Sequence, residues 1–477
     1  MIRSARVLLA GLVSLVSLGS LPAAASSSSI DEPPAQSTPA PGTLEQRLER
    51  LEKLLQETRR ELAAAKASPA DSARLAELER QIGILAAEIE QLKLGEAAAP
   101  APASDAARRG IGPAAAKVYG AKPGVSIGGY GETLYQNFSR TNQNGEPSLA
   151  EDQVTLLRAV VYIGYKFDAH WVFNSELEYE NAVVASDKGG EAEVEFAYVD
   201  YVHSRAVNAR AGLVLIPMGL VNLLHEPTTF PGAMRPDVEQ RILPTTWREI
   251  GAGVYGEAGP VSYAGYLVNG LNAAGYTAEE GIREGRQEGS EARAKNWAVT
   301  GRLDYTGTPG LLVGASFFSG KAGQGLVTPS GRGVGALTTV WDAHADWRWR
   351  GLWLRGLYAD SHVGDADLLN EALGFTGEEA IGSRQRGWYL QAAFDVLSLR
   401  AGSRAALLPF VRYERFDTQA RVPAGYARNP ENDANVWTVG VAFRPIEQLV
   451  FKADWQRREN RASTGVNQWN AALGYVF

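Results

Sequence analysis

The chain has 477 residues, 45% of them hydrophobic and 21% charged, with 51 glycines and no cysteine. The missing cysteines exclude disulfide staples, Cys-zinc sites, thiol nucleophiles and a lipidated N-terminal cysteine. With 47 basic against 54 acidic residues, a net charge of −7, the chain does not fit a generally basic nucleic-acid binder.

Residues 1–25 read as a secretory signal. Arg3 and Arg6 open it, Val7 to Leu18 is mostly apolar, and Pro22-Ala23-Ala24-Ala25 offers a small-residue cleavage site. Residues 26–42 are rich in Ser, Pro and Ala, a composition expected to be disordered. Over 43–95 the apolar positions follow a heptad. Leu44, Leu48, Leu51, Leu55 and Leu62 form one stretch, and Leu75, Leu78, Ile82, Leu85, Ile89 and Leu92 form another after Ser68-Pro69. A seam of period 3.5 with charged flanks predicts a coiled coil, which must bury its seam against copies of itself. Residues 96–124 are an Ala/Pro/Gly stretch, low in apolar bulk, that reads as an extended linker.

From 125 to 477 the period becomes two. In 337–350, Thr339, Trp341, Ala343, Ala345, Trp347 and Trp349 share one face, while Asp342, His344, Asp346, Arg348 and Arg350 share the other. Leu157, Ala159, Val161, Ile163 and Tyr165 alternate with Arg158, Tyr162 and Lys166, and Ala192, Val194, Phe196 and Tyr198 with Glu191, Glu193 and Glu195. About sixteen such runs can be marked between 125–138 and 466–477, many long enough to cross a bilayer when tilted. One apolar face with recurrent Trp, Tyr and Phe, opposite a densely charged face, predicts lipid outside and water inside. Backbone groups in hydrocarbon must be paired, which forces closure. The expected fold is therefore all-β, a transmembrane antiparallel barrel of about sixteen strands over 125–477, preceded by the helical coiled coil. Trp469, Ala471, Leu473, Tyr475 and the terminal Phe477 resemble the C-terminal signature that the assembly machinery of bacterial outer-membrane barrels reads. Turns at 257–260, 349–351 and 444–447 are tight and assigned to the periplasm, with the coiled coil. The stretches 272–294, 321–336, 362–383 and 417–433 are expected as external loops.

The 217–246 connection is richer in Leu, Ile, Met and Pro than these loops and follows the fifth strand, where porins carry a loop that folds inward. Arg235, Asp237, Glu239 and Arg241 are expected at the resulting constriction. Residues 125–271 hold 18 acidic and 9 basic residues, whereas 272–477 hold 22 and 23. Glu176, Glu178, Glu180, Glu191, Glu193 and Glu195 should line one wall. Arg158 sits on that side too, and Arg302, Arg348, Arg350, Arg412 and Arg444 lie on later strands. The expectation is a transverse field across a wet pore and a modest ion preference.

In its layout the chain resembles the phosphate-selective porin O and P family. The resemblance rests on the signal segment, the coiled coil, the Ala/Pro linker, the barrel ending in Phe477, and Pro217…Gly219-Leu220…Asn222…Glu226-Pro227…Glu239…Leu243-Pro244…Arg248…Gly251. It implies a homotrimeric channel in the bacterial outer membrane passing small hydrophilic solutes or ions, anions such as phosphate among them. The partners implied are outer-membrane lipid and the barrel assembly machinery. An alternative function is a structural tether, the coiled coil gripping peptidoglycan. The five histidines, His170, His203, His225, His344 and His362, show neither a nucleophile elbow nor metal-type pairing. No catalytic residue, metal or cofactor is expected.

Overall fold

The computed structural model describes residues 44–66, six positions between 78 and 85, and 110–477 except 186–188 and 401–402. The expected signal segment, residues 26–42 and most of 67–109 lie outside the described residues. A helix, α1 (Leu44–Lys66), spans the first heptad stretch.

Sixteen strands follow: β1 (Gly124–Phe138), β2 (Gln153–Lys166), β3 (Trp171–Glu180), β4 (Ala192–Val202), β5 (Asn208–Leu215), β6 (Arg248–Ala258), β7 (Val261–Asn269), β8 (Trp297–Tyr305), β9 (Leu311–Lys321), β10 (Leu337–Trp349), β11 (Leu352–Val363), β12 (Arg384–Phe394), β13 (Ala406–Arg421), β14 (Asp433–Ile446), β15 (Leu449–Asn460) and β16 (Gln468–Val476). Each pairs antiparallel with its sequence neighbours, and β1 pairs with β16, so the sheet is a closed barrel without an edge. β13 runs five residues beyond the expected 416, which shortens the loop expected at 417–433.

Tight turns such as Arg350-Gly351 gather at one end of the barrel and long connections at the other. These are called the turn side and the loop side below. Among the described residues, three short α-helices follow α1 outside the sheet: α2 (Lys117–Gly120), α3 (Asp237–Arg241) and α4 (Ala366–Leu373).

The period-two pattern is realised inside out. On β10, Asp342, His344 and Asp346 are buried in the lumen, and Trp341, Trp347 and Trp349 are exposed on the outer surface. Outward aromatics form two belts. Trp341–Tyr358, Trp388–Tyr413–Trp437 and Trp455–Trp469 lie toward the loop side, and Tyr165–Phe167, Trp171–Tyr201, Trp347–Trp349 and Phe443–Phe451 toward the turn side. Aliphatic residues such as Leu390, Val411 and Val439 fill the band between them. Trp341 and Trp347 are six residues apart on one strand, about 20 Å at the rise of a β-strand.

Four ladders shift register, and the shifts at β1–β2 and β3–β4 bear on the acidic hairpin. The β1–β2 register shifts between Glu132 and Thr133, leaving Leu157 unpaired, and the β3–β4 register shifts between Glu176 and Leu177, leaving Glu195 unpaired. The second bulge corrects the face expected for Phe196 and Tyr198, which turn into the lumen with Asp200 while Val194 and Val199 face out. An extra residue puts Glu195 and Phe196 on the same side, and the rest of the strand follows the shifted phase. Deleting Glu195 removes the unpaired residue and should leave Val194 outward and Phe196, Tyr198 and Asp200 inward, in unchanged register with β3. The expected outcome is retention of the compact folded band on semi-native gels, and loss of that band would refute the bulge assignment.

Candidate functional site within the barrel

The connection between β5 and β6 leaves the loop side, folds into the lumen and crosses it. At its base Asn222 uses both ends of its amide. Its Oδ1 accepts from the Trp247 N–H at 2.6 Å and Thr245 Oγ1 at 2.8 Å, and its Nδ2 donates to the carbonyls of Ile216 at 2.7 Å and Trp247 at 3.0 Å. Glu239, on α3, is buried and accepts from the N–H groups of Leu220 and Val221 at 2.8 and 2.6 Å and from the Tyr389 hydroxyl at 2.6 Å. Gly219 lets the chain pass this carboxylate, since its φ is +67° and a Cβ there would lie 2.6 Å from Glu239 Oε2.

Wall arginines donate to the carbonyls of the crossing loop. Arg302 binds Gly219, Arg444 binds Thr228 at 2.6 Å, Arg355 reaches Thr229 at 3.4 Å and Arg412 reaches Met234 at 3.4 Å. Asp454 accepts from the Ala233 N–H at 2.7 Å. The lumen charges therefore hold a folded segment as well as meeting solvent.

The four residues expected at the constriction all lie on this loop, and each has a partner. Arg235 donates to Thr246 Oγ1 at 2.9 Å, Asp237 pairs with Arg458 at 2.9 and 3.0 Å, Glu239 closes the turn at Leu220, and Arg241 meets Glu280 at 2.7 Å. Burial would raise the Asp237 carboxyl, but Arg458 beside it holds it below the usual carboxylate range.

On the acidic hairpin Glu176 contacts His225 at 3.1 Å. Glu178 and Glu180 each lie 3.7 Å from Arg158, which also lies 3.8 Å from Glu132, and Glu193 and Glu195 share Arg248. Glu191 precedes β4 and is exposed at the hairpin end. Compensation by Arg158, Arg248 and His225 replaces the expected one-sided acidic wall with local pairs. Arg248, which in the sequence stands out only within the segment that carries the family resemblance, is thus a lumen residue that charge alternation missed.

Arg302, Arg348 and Arg444 do converge, near the turn side. Arg412 lies deeper, 2.7 Å from Glu414. Arg350 is a correction: it occupies the exposed β10–β11 turn, its guanidinium 5.1 Å from the Trp349 ring, and does not line the lumen. Trp469, Leu473, Tyr475 and Phe477 share the outer face of the last strand and its end.

Residues 110–123 also depart from expectation. They form turns and α2 rather than an extended linker, with Ile111, Ala114, Ala115 and Val118 buried against the inner wall. The Ala114 N–H donates to Glu226 Oε1 at 2.9 Å, the Ala115 carbonyl accepts from Asn174 at 2.9 Å, and the Tyr119 hydroxyl donates to Asp200 at 2.6 Å. Gly112 and Gly164 permit this seat, because a Cβ at either would fall within 2.6 Å of Glu226 or Val118. Small residues read as linker composition are here the condition for close packing.

Among the described residues, the two larger cavities lie at opposite ends of the lumen. The loop-side cavity, about 780 Å³, is bordered by Glu279, Glu378, Glu379, Glu431 and Glu459 against Arg241 and Arg458. The turn-side cavity, about 330 Å³, is bordered by Lys117, Arg302, Arg348, Arg355, Arg404 and Arg444 against Asp304, Asp346 and Glu447. The charge separation runs along the barrel axis, not across it.

No family model matches the chain. A protein of Aquifex aeolicus described only as uncharacterized is 37% identical to it over 376 residues, 77% of this chain and 83% of that one. The chain belongs to the same family as that protein. Among solved structures, similarity extends to OmpT of Vibrio cholerae, with 10% identity, a TM-score of 0.46, and coverage of 75% of this chain and 99% of that one. An anion-selective porin from Comamonas acidovorans has 12% identity, a TM-score of 0.46, and coverage of 74% and 99%. The outer membrane channel DcaP of Acinetobacter baumannii has 11% identity, a TM-score of 0.43, and coverage of 74% and 97%.

Two outcomes test the fastening. Burial pushes the Glu226 carboxyl up to about 7, against the lowering effect of the Ala114 N–H. A carboxyl whose folded pKa is raised binds its proton more tightly when folded, so stability rises as pH falls through 7 toward about 4.5 and is flat below. Glu226→Gln keeps an acceptor for Ala114 and should remove this dependence. The variant should be more stable than wild type by on the order of 2 kcal/mol at pH 8 and equal to it at pH 4, as read by urea unfolding. Arg458→Gln strands Asp237 and should cost about 3 kcal/mol, most of which the added Asp237→Asn restores.

Proposed function

We propose that the protein is a bacterial outer-membrane porin through which small hydrophilic solutes and ions diffuse passively, along a lumen narrowed by the 217–246 loop. The observation that carries this reading is the inverted barrel. Its outer surface is a continuous apolar band between two aromatic belts, and its lumen holds paired charges and a cavity at each end. Water does not tolerate so large an apolar exterior, whereas lipid does.

The layout shared with the phosphate-selective porin O and P family belongs to this proposal: export by residues 1–25, trimerisation through the 43–95 coiled coil in the periplasm, and an assembly signal in Trp469, Leu473, Tyr475 and Phe477. Arginine rather than lysine dominates the turn-side cavity, and arginine suits planar or tetrahedral oxyanions through its forked donors. Small anions, phosphate among them, are accordingly part of the proposed traffic.

Purified protein in planar bilayers should give discrete conductance steps, and removal of residues 220–243 should enlarge them. Absence of conductance in both forms would overturn the porin reading. Val439→Arg, in the outer apolar band, should lower folding stability into bilayers by about 2–4 kcal/mol, and an unchanged value would place that band in water.

A further inference from the structure

The turn-side cavity is unevenly charged. Its six cationic side chains face Asp304, Asp346 and Glu447. Asp304 holds Arg302 at 2.6 Å, and Asp346 is shared between Arg348 at 3.3 Å and Arg355 at 2.7 Å. Arg444 is 7% exposed and makes no ion pair among the described residues. Its Nη2 donates to the Thr228 carbonyl at 2.6 Å, while its Nε is buried without a hydrogen-bond partner. Asp395 and Glu447 attract it from beyond ion-pair distance while Arg348 opposes them, and a buried guanidinium so weakly compensated is costly, so the site favours an anion.

The remaining lining narrows the class of anion. Leu220, Leu223, Leu224, Leu312 and Ile446 make much of the cavity hydrocarbon. An inorganic ion would satisfy Arg444 but leave this wall against water, and a neutral apolar solute would do the reverse. We propose that the turn-side cavity is a binding site for an organic carboxylate with an apolar body, its carboxylate on Arg444 and its body against Leu223 and Leu224. This deepens the porin reading, and its test is equilibrium binding, which does not depend on conduction.

The full-length protein in detergent is titrated with 4-fluorobenzoate and followed by fluorine NMR, with 4-fluorobenzyl alcohol and inorganic phosphate as comparisons. Saturable binding of the benzoate is expected, with affinity for the alcohol at least about tenfold weaker and little displacement by equimolar phosphate. Arg444→Gln should weaken benzoate binding about tenfold or more, and Arg444→Lys less. The rim reversal Lys117→Glu with Arg404→Glu alters only exposed positions and should weaken binding several-fold, more so at low salt. No saturable binding, equal affinity for the alcohol, full displacement by phosphate, or unchanged affinity in the rim variant would each overturn the proposal. A conducting protein that fails these tests refutes the site alone, and a non-conducting protein that passes them refutes only the porin reading.

Discussion

The ladder between β1 and β16, from Tyr130 opposite Val476 to Phe138 opposite Gln468, is the interaction on which the rest depends. With it the sheet has no edge, and every strand presents one face to a common interior. That interior then receives a lumenful of charged side chains whose partners lie far off in sequence. Asp237 and Arg458 are separated by 221 positions, and Arg444 and Thr228 by 216. Without closure these groups would sit on the two ends of an open sheet, and neither the crossing loop nor the residue 110–123 segment would have a wall to seat on.

The strands were legible because a two-residue period survives in composition-poor data: Trp341, Trp347 and Trp349 against Asp342, His344 and Asp346 admit one reading. Bulges carry no comparable mark. Glu195 is one more glutamate in an alternating run, and only the partner strand shows that it is unpaired, so alternation alone places Phe196 and Tyr198 on the wrong face. The residue 110–123 segment departs from a linker for a related reason. Alanine and glycine read as absence of a core, yet Gly112 and Gly164 lack a Cβ because the Glu226 and Val118 side chains lie against their backbone.

The crossing loop was visible through its excess of Leu, Met and Pro, but the duties of its residues were not. Gly219, Asn222, Glu226 and Glu239, which carried the family resemblance, fasten the loop to itself and to the residue 110–123 segment. Charge counting by strand likewise pointed to a field across the lumen. Pairing of the acidic hairpin with Arg158, Arg248 and His225 cancels much of it locally, and what survives is an axial contrast between an acidic loop-side cavity and a basic turn-side one.

Met234, at the far end of the crossing loop, accepts a side-chain N–H from Gln136 on β1 and another from Gln468 on β16, both at 3.4 Å. Pro227 on the same loop lies against Gly474, beside the same seam. The loop thus rests on both lips of the joint where the first strand meets the last. Its docking place does not exist until the final strand has arrived, so the loop acts as a latch across a completed ring and its seating reports that the circle has closed in register.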